Sequence, residues 1–169
     1  KIVQGDLTVW PEVMNVVRDN NVEGIFHLGS LLSGACEANP WLGYQTVVTG
    51  TMHVLEAARL FGVKHVILSS TSATYSMGVP EVITEDTLQR PISIYGAGKL
   101  FSEHLGRFYR RKFGLDFRCL RYFTVVGPGA KTLPAYAEHM SLMIENAALG
   151  KPYVCRVRDD QGMPVTYVK

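Results

Sequence analysis

The stretch His65-Val66-Ile67-Leu68-Ser69-Ser70-Thr71-Ser72-Ala73-Thr74-Tyr75 runs from a short strand directly into a cluster of hydroxyl side chains. Branched apolar residues suit a pleated, buried strand, and a Ser/Thr-rich run suits a turn. A loop marked by Pro80 and Pro91 follows, from Gly78 to about Ser93. The chain then enters a helix predicted from about Tyr95 to Phe113, with Phe101, Leu105, Phe108 and Lys112 along one face. Gly114 is placed as its C-terminal stop. Strand, hydroxyl turn and helix make one βα unit.

The same alternation recurs on both sides. Upstream, Lys1-Ile2-Val3 reads as the end of a strand that turns at Gly5-Asp6, and Pro11 opens a helix carrying Val13, Val16 and Val17. Gly24 to Leu28 is a short apolar strand, and Pro40 leads into a long helix with Tyr44, Val47, Val48, Thr51, Leu55 and Ala58 at helical spacing. Downstream, Phe117 to Tyr122 is a strand broken by Gly127-Pro128-Gly129. A last helix is expected from about Pro134 to Leu149, ended by Gly150, and Val165 to Lys169 reads as a strand. Apolar strands alternating with helices predict an α/β fold with a doubly wound parallel sheet covered on both faces. In such folds ligands gather at the carboxyl ends of the strands. Because the chain opens and closes inside strands, it is expected to be a fragment of a longer protein.

Composition narrows the function classes. With 169 residues and 47% hydrophobic content, the chain can bury one substantial core. Its net charge is only +2, and the densest basic patch, Arg107, Arg110, Arg111 and Lys112, fits the solvated face of a helix, so nucleic acid is not an expected partner. Cys36, Cys119 and Cys155 lack the spacing of a zinc site or a disulfide framework and suit a reducing cytoplasm. His27, His53, His65, His104 and His139 show no metal-ligand spacing, so no metal is expected. No apolar run is long enough for a membrane helix.

One motif carries chemistry: Tyr95-Gly96-Ala97-Gly98-Lys99, at the start of a helix. Four residues of separation put the phenol and the ammonium on one helix face. A nearby ammonium favours the phenolate, which brings a tyrosine toward the working range of a general base. With eight Tyr in the chain, such a pair arises by chance in roughly a third of chains of this composition. Its weight comes from context: the hydroxyl run from Ser69 to Tyr75 sits at a strand end one unit earlier, where hydroxyls can hold a substrate oxygen beside the phenol.

These features resemble the extended short-chain dehydrogenase/reductase superfamily, in its NAD-dependent epimerase/dehydratase branch. The likeness is carried by V-Q-G-D-L at Val3 to Leu7, I-F-H-L-G at Ile25 to Gly29, V-T-G-T at Val48 to Thr51 and L-S-S-T-S-A-T-Y at Leu68 to Tyr75. It continues through the acidic approach from Thr84-Glu85-Asp86 to P-I-S-I-Y-G-A-G-K, and L-R-Y-F-T-V-V-G-P-G at Leu120 to Gly129. The resemblance implies a Rossmann-type domain over residues 1–133, lacking its first unit, and the start of a small substrate-binding part over 134–169. It implies Tyr95 as general acid/base, Lys99 as holder of the nicotinamide ribose, and Thr71 as the hydroxyl that orients substrate. It further implies Asp6 and Leu7 beside the adenine, with Leu28, Gly29 and Ser30 along the nucleotide path. Thr46 and Ser69 fall on the cofactor side, Ser72 on the substrate side, and Tyr122, Phe123 and Thr124 beside nicotinamide and substrate.

The implied cofactor is NAD, with NADP left open, because the family's G-x-x-G-x-x-G loop and its ribose-binding acid belong to a βαβ unit that would precede Lys1. Without that unit the chain is expected to bind dinucleotide poorly. The implied reaction is reversible hydride transfer at a secondary alcohol of a sugar, such as a nucleotide sugar. The alternatives are oxidation or reduction of a non-sugar alcohol or ketone, and a non-catalytic binding module. Four departures bear on this choice. Leu31-Leu32 stand where epimerases commonly have Lys, and Thr46 and Thr124 where they tend to have Asn. Ser72-Ala73 replace the acidic pair of dehydratases, and Gly98 replaces a usual Ser or Thr. Homodimerisation through the helices beginning near Pro40 and Tyr95 is also implied.

Overall fold

The computed structural model describes residues 1–75, 79–80, 82–126, 135–154 and 165–167. Two compact units divide the chain, Lys1–Arg121 and Tyr122–Lys169. The boundary expected at 133/134 lies outside the described residues, as do Gly127-Pro128-Gly129.

In the first unit, β1 (Gly24–His27) pairs in parallel with β2 (His65–Thr71), Gly24 opposite His65 and His27 opposite Leu68. β3 (Asp116–Tyr122) flanks β2 on its other side. The connections are helical, as parallel pairing requires. α1 (Trp10–Asp19) precedes β1 and is opened by Pro11 in its first turn. α2 (Ser33–Ala38), α3 (Pro40–Tyr44), a π-helical segment Gln45–Thr49 and α4 (Gly50–Leu60) link β1 to β2. α5 (Ile94–Phe113) links β2 to β3 and stops at Gly114, whose φ of 74° is the left-handed cap conformation that favours glycine.

The core lies between the sheet and α4 and α5. Val54, Leu55, Ala57 and Ala58 of α4 meet Val66 and Leu68 of β2, Tyr109 of α5 and Phe117 of β3. The two sheet faces are unequally covered. His27, Leu68 and Ser70 lie on the face beneath α4 and α5, whereas Phe26, in register with Ile67 on the opposite face, is 70% exposed. The parallel strands with helices packed against them are the Rossmann-type α/β architecture that the alternation predicts.

Other expectations change in instructive ways. Residues 1–6 form no strand, and Ile2 is fully exposed, because an extended segment without a neighbour has no ladder to join. The long helix expected from Pro40 is three consecutive helical segments, α3, the π segment and α4. α2 carries no apolar periodicity long enough to announce it. On α5 the apolar row splits, Phe101 and Phe108 exposed and Leu105 packed against the core, while Tyr95, Gly96, Gly98, Lys99, Ser102, Glu103, Gly106 and Tyr109 are buried. Small and polar residues let the helix press close to its neighbours, so the buried face is not the greasy one.

In the second unit, β4 (Thr124–Val126) pairs in parallel with β5 (Val165–Tyr167), and α6 (Ala135–Ala148) packs against β4. Gly150, with φ of 64°, follows α6.

Candidate active site at the carboxyl end of β2

The N-terminus of α5 is fixed from two sides. Ser93 caps it by accepting from the Gly96 amide at 3.0 Å, and the Glu37 carboxylate of α2 accepts from the Ile94 amide at 3.0 Å. Tyr95 therefore enters the helix in its first turn and is buried beside Cys36 and Val47, with Leu31, Ala73 and Ile94 packed around them. The approach to the turn after β2 is so close that a Cβ on Gly96 would lie 2.1 Å from the Ala73 carbonyl oxygen. Nothing larger than glycine fits there without moving backbone.

One turn further on, Lys99 is 1% exposed and donates to the Ser69 carbonyl at 2.7 Å. Its Nζ lies 5.8 Å from the centroid of the Tyr95 ring. Burial lowers the Lys99 pKa to about 8, partly offset by the Cys36 thiol. The ammonium thus remains mostly charged at neutral pH but is easily discharged.

Thr71 follows Ser69 by two residues. Its hydroxyl accepts from the Ala73 amide at 3.1 Å and caps a 3₁₀ turn, Ser72–Thr74, while its carbonyl accepts from Thr74 Oγ1 at 2.9 Å. Ser69, Thr71, Ser72, Tyr95 and Lys99 are thereby gathered where the end of β2 meets the start of α5.

A second group of expected residues gathers after β1. Asp6 accepts from both the amide and the hydroxyl of Thr8, at 2.7 and 2.8 Å, and these bonds lower its pKa. The Leu7 carbonyl accepts from His53 Nδ1 at 2.8 Å, and its Cδ1 would lie 2.5 Å from a Cβ on Gly29. Leu28 is 64% exposed, and Ser30 donates to the Leu31 carbonyl at 3.0 Å. Thr46 lies in the π segment, a form frequent at functional sites. Tyr122, Phe123 and Thr124 belong to the second unit, with Tyr122 42% exposed at the end of β3.

Behind Lys99 lies a buried polar chain that the motif did not reveal. The Val47 carbonyl accepts from Thr51 Oγ1 at 2.6 Å and from Ser102 Oγ at 3.2 Å, and His27 Nε2 pairs with Thr51 Oγ1 at 3.0 Å. Since the Thr51 hydroxyl donates to Val47, His27 Nε2 is the donor to Thr51. Burial, and then the Lys99 charge, lower the His27 pKa to about 4, so the ring is neutral. Gly98 also finds its reason here: a Cβ would meet Val47 Cγ1 at 2.9 Å. Glu103, Ser70 and Arg121 form a further buried cluster. The signal available for Glu103 was its position four residues after Lys99, on the same helix face.

Among the described residues, no helix is long and apolar enough to cross a membrane. The NAD dependent epimerase/dehydratase family model matches residues 1–169. The chain is 28% identical over 167 residues to the mitochondrial L-threonine 3-dehydrogenase of Bos taurus, covering 98% of this chain and 44% of that protein. The L-threonine dehydrogenase of Phytophthora infestans superposes with a TM-score of 0.88 at 31% identity, over 98% of this chain and 54% of that one. The UDP-glucose 4-epimerase of Thermus thermophilus, in complex with NAD, superposes with a TM-score of 0.82 at 26% identity, over 96% and 55% of the two chains. The chain thus spans about half the length of the proteins it matches. With the match running the length of the chain, this protein belongs to the NAD-dependent epimerase/dehydratase family.

Proposed function

We propose that this chain carries the reactive half of an NAD-dependent oxidoreductase acting on a secondary alcohol, and that the alcohol belongs to a small hydroxy amino acid of the L-threonine kind. The observation that carries the reaction is the Lys99 ammonium, held 2.7 Å from the Ser69 carbonyl on the helix face shared with Tyr95. The substrate class rests on likeness to two L-threonine dehydrogenases over 98% of the chain. It is also favoured by Leu31-Leu32, Thr46 and Thr124, which stand where epimerases of the family commonly carry Lys and Asn.

The residues present fit a nicotinamide ribose, since the Lys99 ammonium keeps donors for its hydroxyls beyond the one given to Ser69, and the Tyr95 phenolate oxygen can accept from one of them. Bound there, NAD supplies the acceptor for a hydride. Tyr95, as phenolate, takes the proton of the substrate hydroxyl, and the Lys99 charge stabilises the negative oxygen before that transfer. Thr71 donates to the substrate oxygen and orients it toward Tyr95. The alcohol becomes a ketone as its O–H proton passes to Tyr95 and its C–H leaves as hydride. Leu7, Leu28, Gly29 and Ser30 border the nucleotide.

The test is to supply the full-length protein with NAD+ and either L-threonine or UDP-sugars. Growth of reduced-cofactor absorbance with L-threonine, lost in Tyr95→Phe, supports this reading. Interconversion of UDP-sugar epimers without net reduction favours the alternative, which the likeness to a UDP-glucose 4-epimerase keeps in view. We also propose pairing of two copies through α3 and α5, on which Trp41 is 67% and Phe101 52% exposed. Sedimentation showing only monomer would remove that proposal.

A further inference from the structure

Glu103 has no exposed surface, yet it is an anion in the core. Ser70 donates its hydroxyl to Oε1, Arg107 donates to Oε2 at 3.2 Å, and Arg121 spans the carboxylate with Nε at 3.0 and 3.2 Å and Nη2 at 2.8 Å. Burial alone pushes the carboxyl pKa up, but the bonds from Arg121 and Ser70, together with the two guanidinium charges, outweigh it and hold the group below its usual range. The charged form is thereby favoured, with both carboxylate oxygens hydrogen-bonded.

The same Arg121 reaches in the other direction. Nη1 donates to the Tyr75 hydroxyl at 2.6 Å and to the Glu85 carbonyl at 3.3 Å, and Nη2 donates to Gln89 Oε1 at 2.9 Å. The Tyr75 hydroxyl donates in turn to the Thr84 carbonyl at 3.3 Å. Arginine has only donors, so the Gln89 oxygen must face it. The Gln89 amide nitrogen is then buried, without an acceptor among the described residues. Arg121 thus meets the chain after β2 at Gln89 Oε1, the Glu85 carbonyl and the Tyr75 hydroxyl.

Ser70 lies between Ser69, whose carbonyl anchors Lys99, and Thr71, while the held segment 84–89 joins the end of β2 to the start of α5. We propose that Glu103 and Arg121 form a clamp that holds the reactive end of β2 and the segment 84–89 as one unit, so that this segment sets the affinity for the substrate alcohol. The proposal rests on the oxidoreductase reading above; Glu103 and Arg121 act in it as positioning residues.

Gln89→Ala and Tyr75→Phe cut the clamp on its loop side and leave the Glu103–Arg121 pair intact. Each is expected to raise KM for the alcohol about tenfold, as loss of a hydrogen bond to a charged group does, with KM for NAD+ unchanged and the melting temperature at most slightly lowered. Gln89→Glu keeps the acceptor oxygen and is expected to restore KM. Limited proteolysis of the full-length protein should show faster cleavage within 82–92 in Gln89→Ala than in wild type. Unchanged KM together with unchanged cleavage overturns the clamp, as does a fall in melting temperature alone. If the wild-type protein turns over no alcohol, the function reading fails, and the cleavage comparison still decides the clamp.

Discussion

Two buried charges stand one helical turn apart on α5 and are treated in opposite ways. Glu103 is met by Ser70, Arg107 and Arg121, and its charged form is stabilised. Lys99 donates to one neutral carbonyl, and its charged form is destabilised until its pKa reaches about 8. A buried ion whose partners compensate it is an anchor, since removing one partner exposes the full desolvation cost of the other. An ion held with partial compensation is poised instead, its charge available to an incoming group. The same helix face thus carries a reactive cation and a fixed anion, and their surroundings divide the roles.

Substitutions at the two positions should separate activity from stability. Lys99→Met is expected to lower kcat/KM about a hundred- to ten-thousand-fold, while the melting temperature stays level or rises, because a destabilised buried cation has been removed. A fall in stability with activity retained would reverse the assignment. Glu103→Ala should do the opposite first: urea unfolding is expected to show a loss of about 3–5 kcal/mol, from the uncompensated Arg121 left behind. An unchanged unfolding midpoint would show that the anion anchors nothing.

The histidine beside Lys99 sharpens the comparison further. His27 titrates at about 4 in the folded chain against 6.5 ordinarily. The unfolded chain therefore binds the extra proton first as pH falls, and stability is lost between pH 6.5 and 4, by up to about 3 kcal/mol. His27→Gln should flatten that limb in pH-dependent unfolding. In Lys99→Met the repulsion on His27 is gone, so its titration, followed by NMR, should move upward; a stationary value would mean that the two do not sense each other. The smallest effect is steric. Gly98→Ser places a Cβ 2.9 Å from Val47 Cγ1, and the overpacking should cost about 1–3 kcal/mol in unfolding experiments, despite the new hydroxyl.

The sequence by itself determined the order of the strands β1, β2 and β3, the helix α5 with its Gly114 stop, and the Tyr95–Lys99 face, because strand composition, glycine caps and four-residue spacing are local properties of the chain. It marked the hydroxyl run just past the apolar strand for the same reason, and the family resemblance singled out Thr71 within that run. Only the tertiary structure decided that the exposed row of α5 is the one with Phe101 and Phe108, since which face a helix buries depends on how closely its neighbours approach. The π segment was likewise invisible in an unbroken helical periodicity. The Glu103–Arg121–Gln89 cluster joins residues up to 32 positions apart, and no spacing rule brings such distant residues together. Strand order and loop closure do that, and burial then makes the charges they carry strong enough to matter.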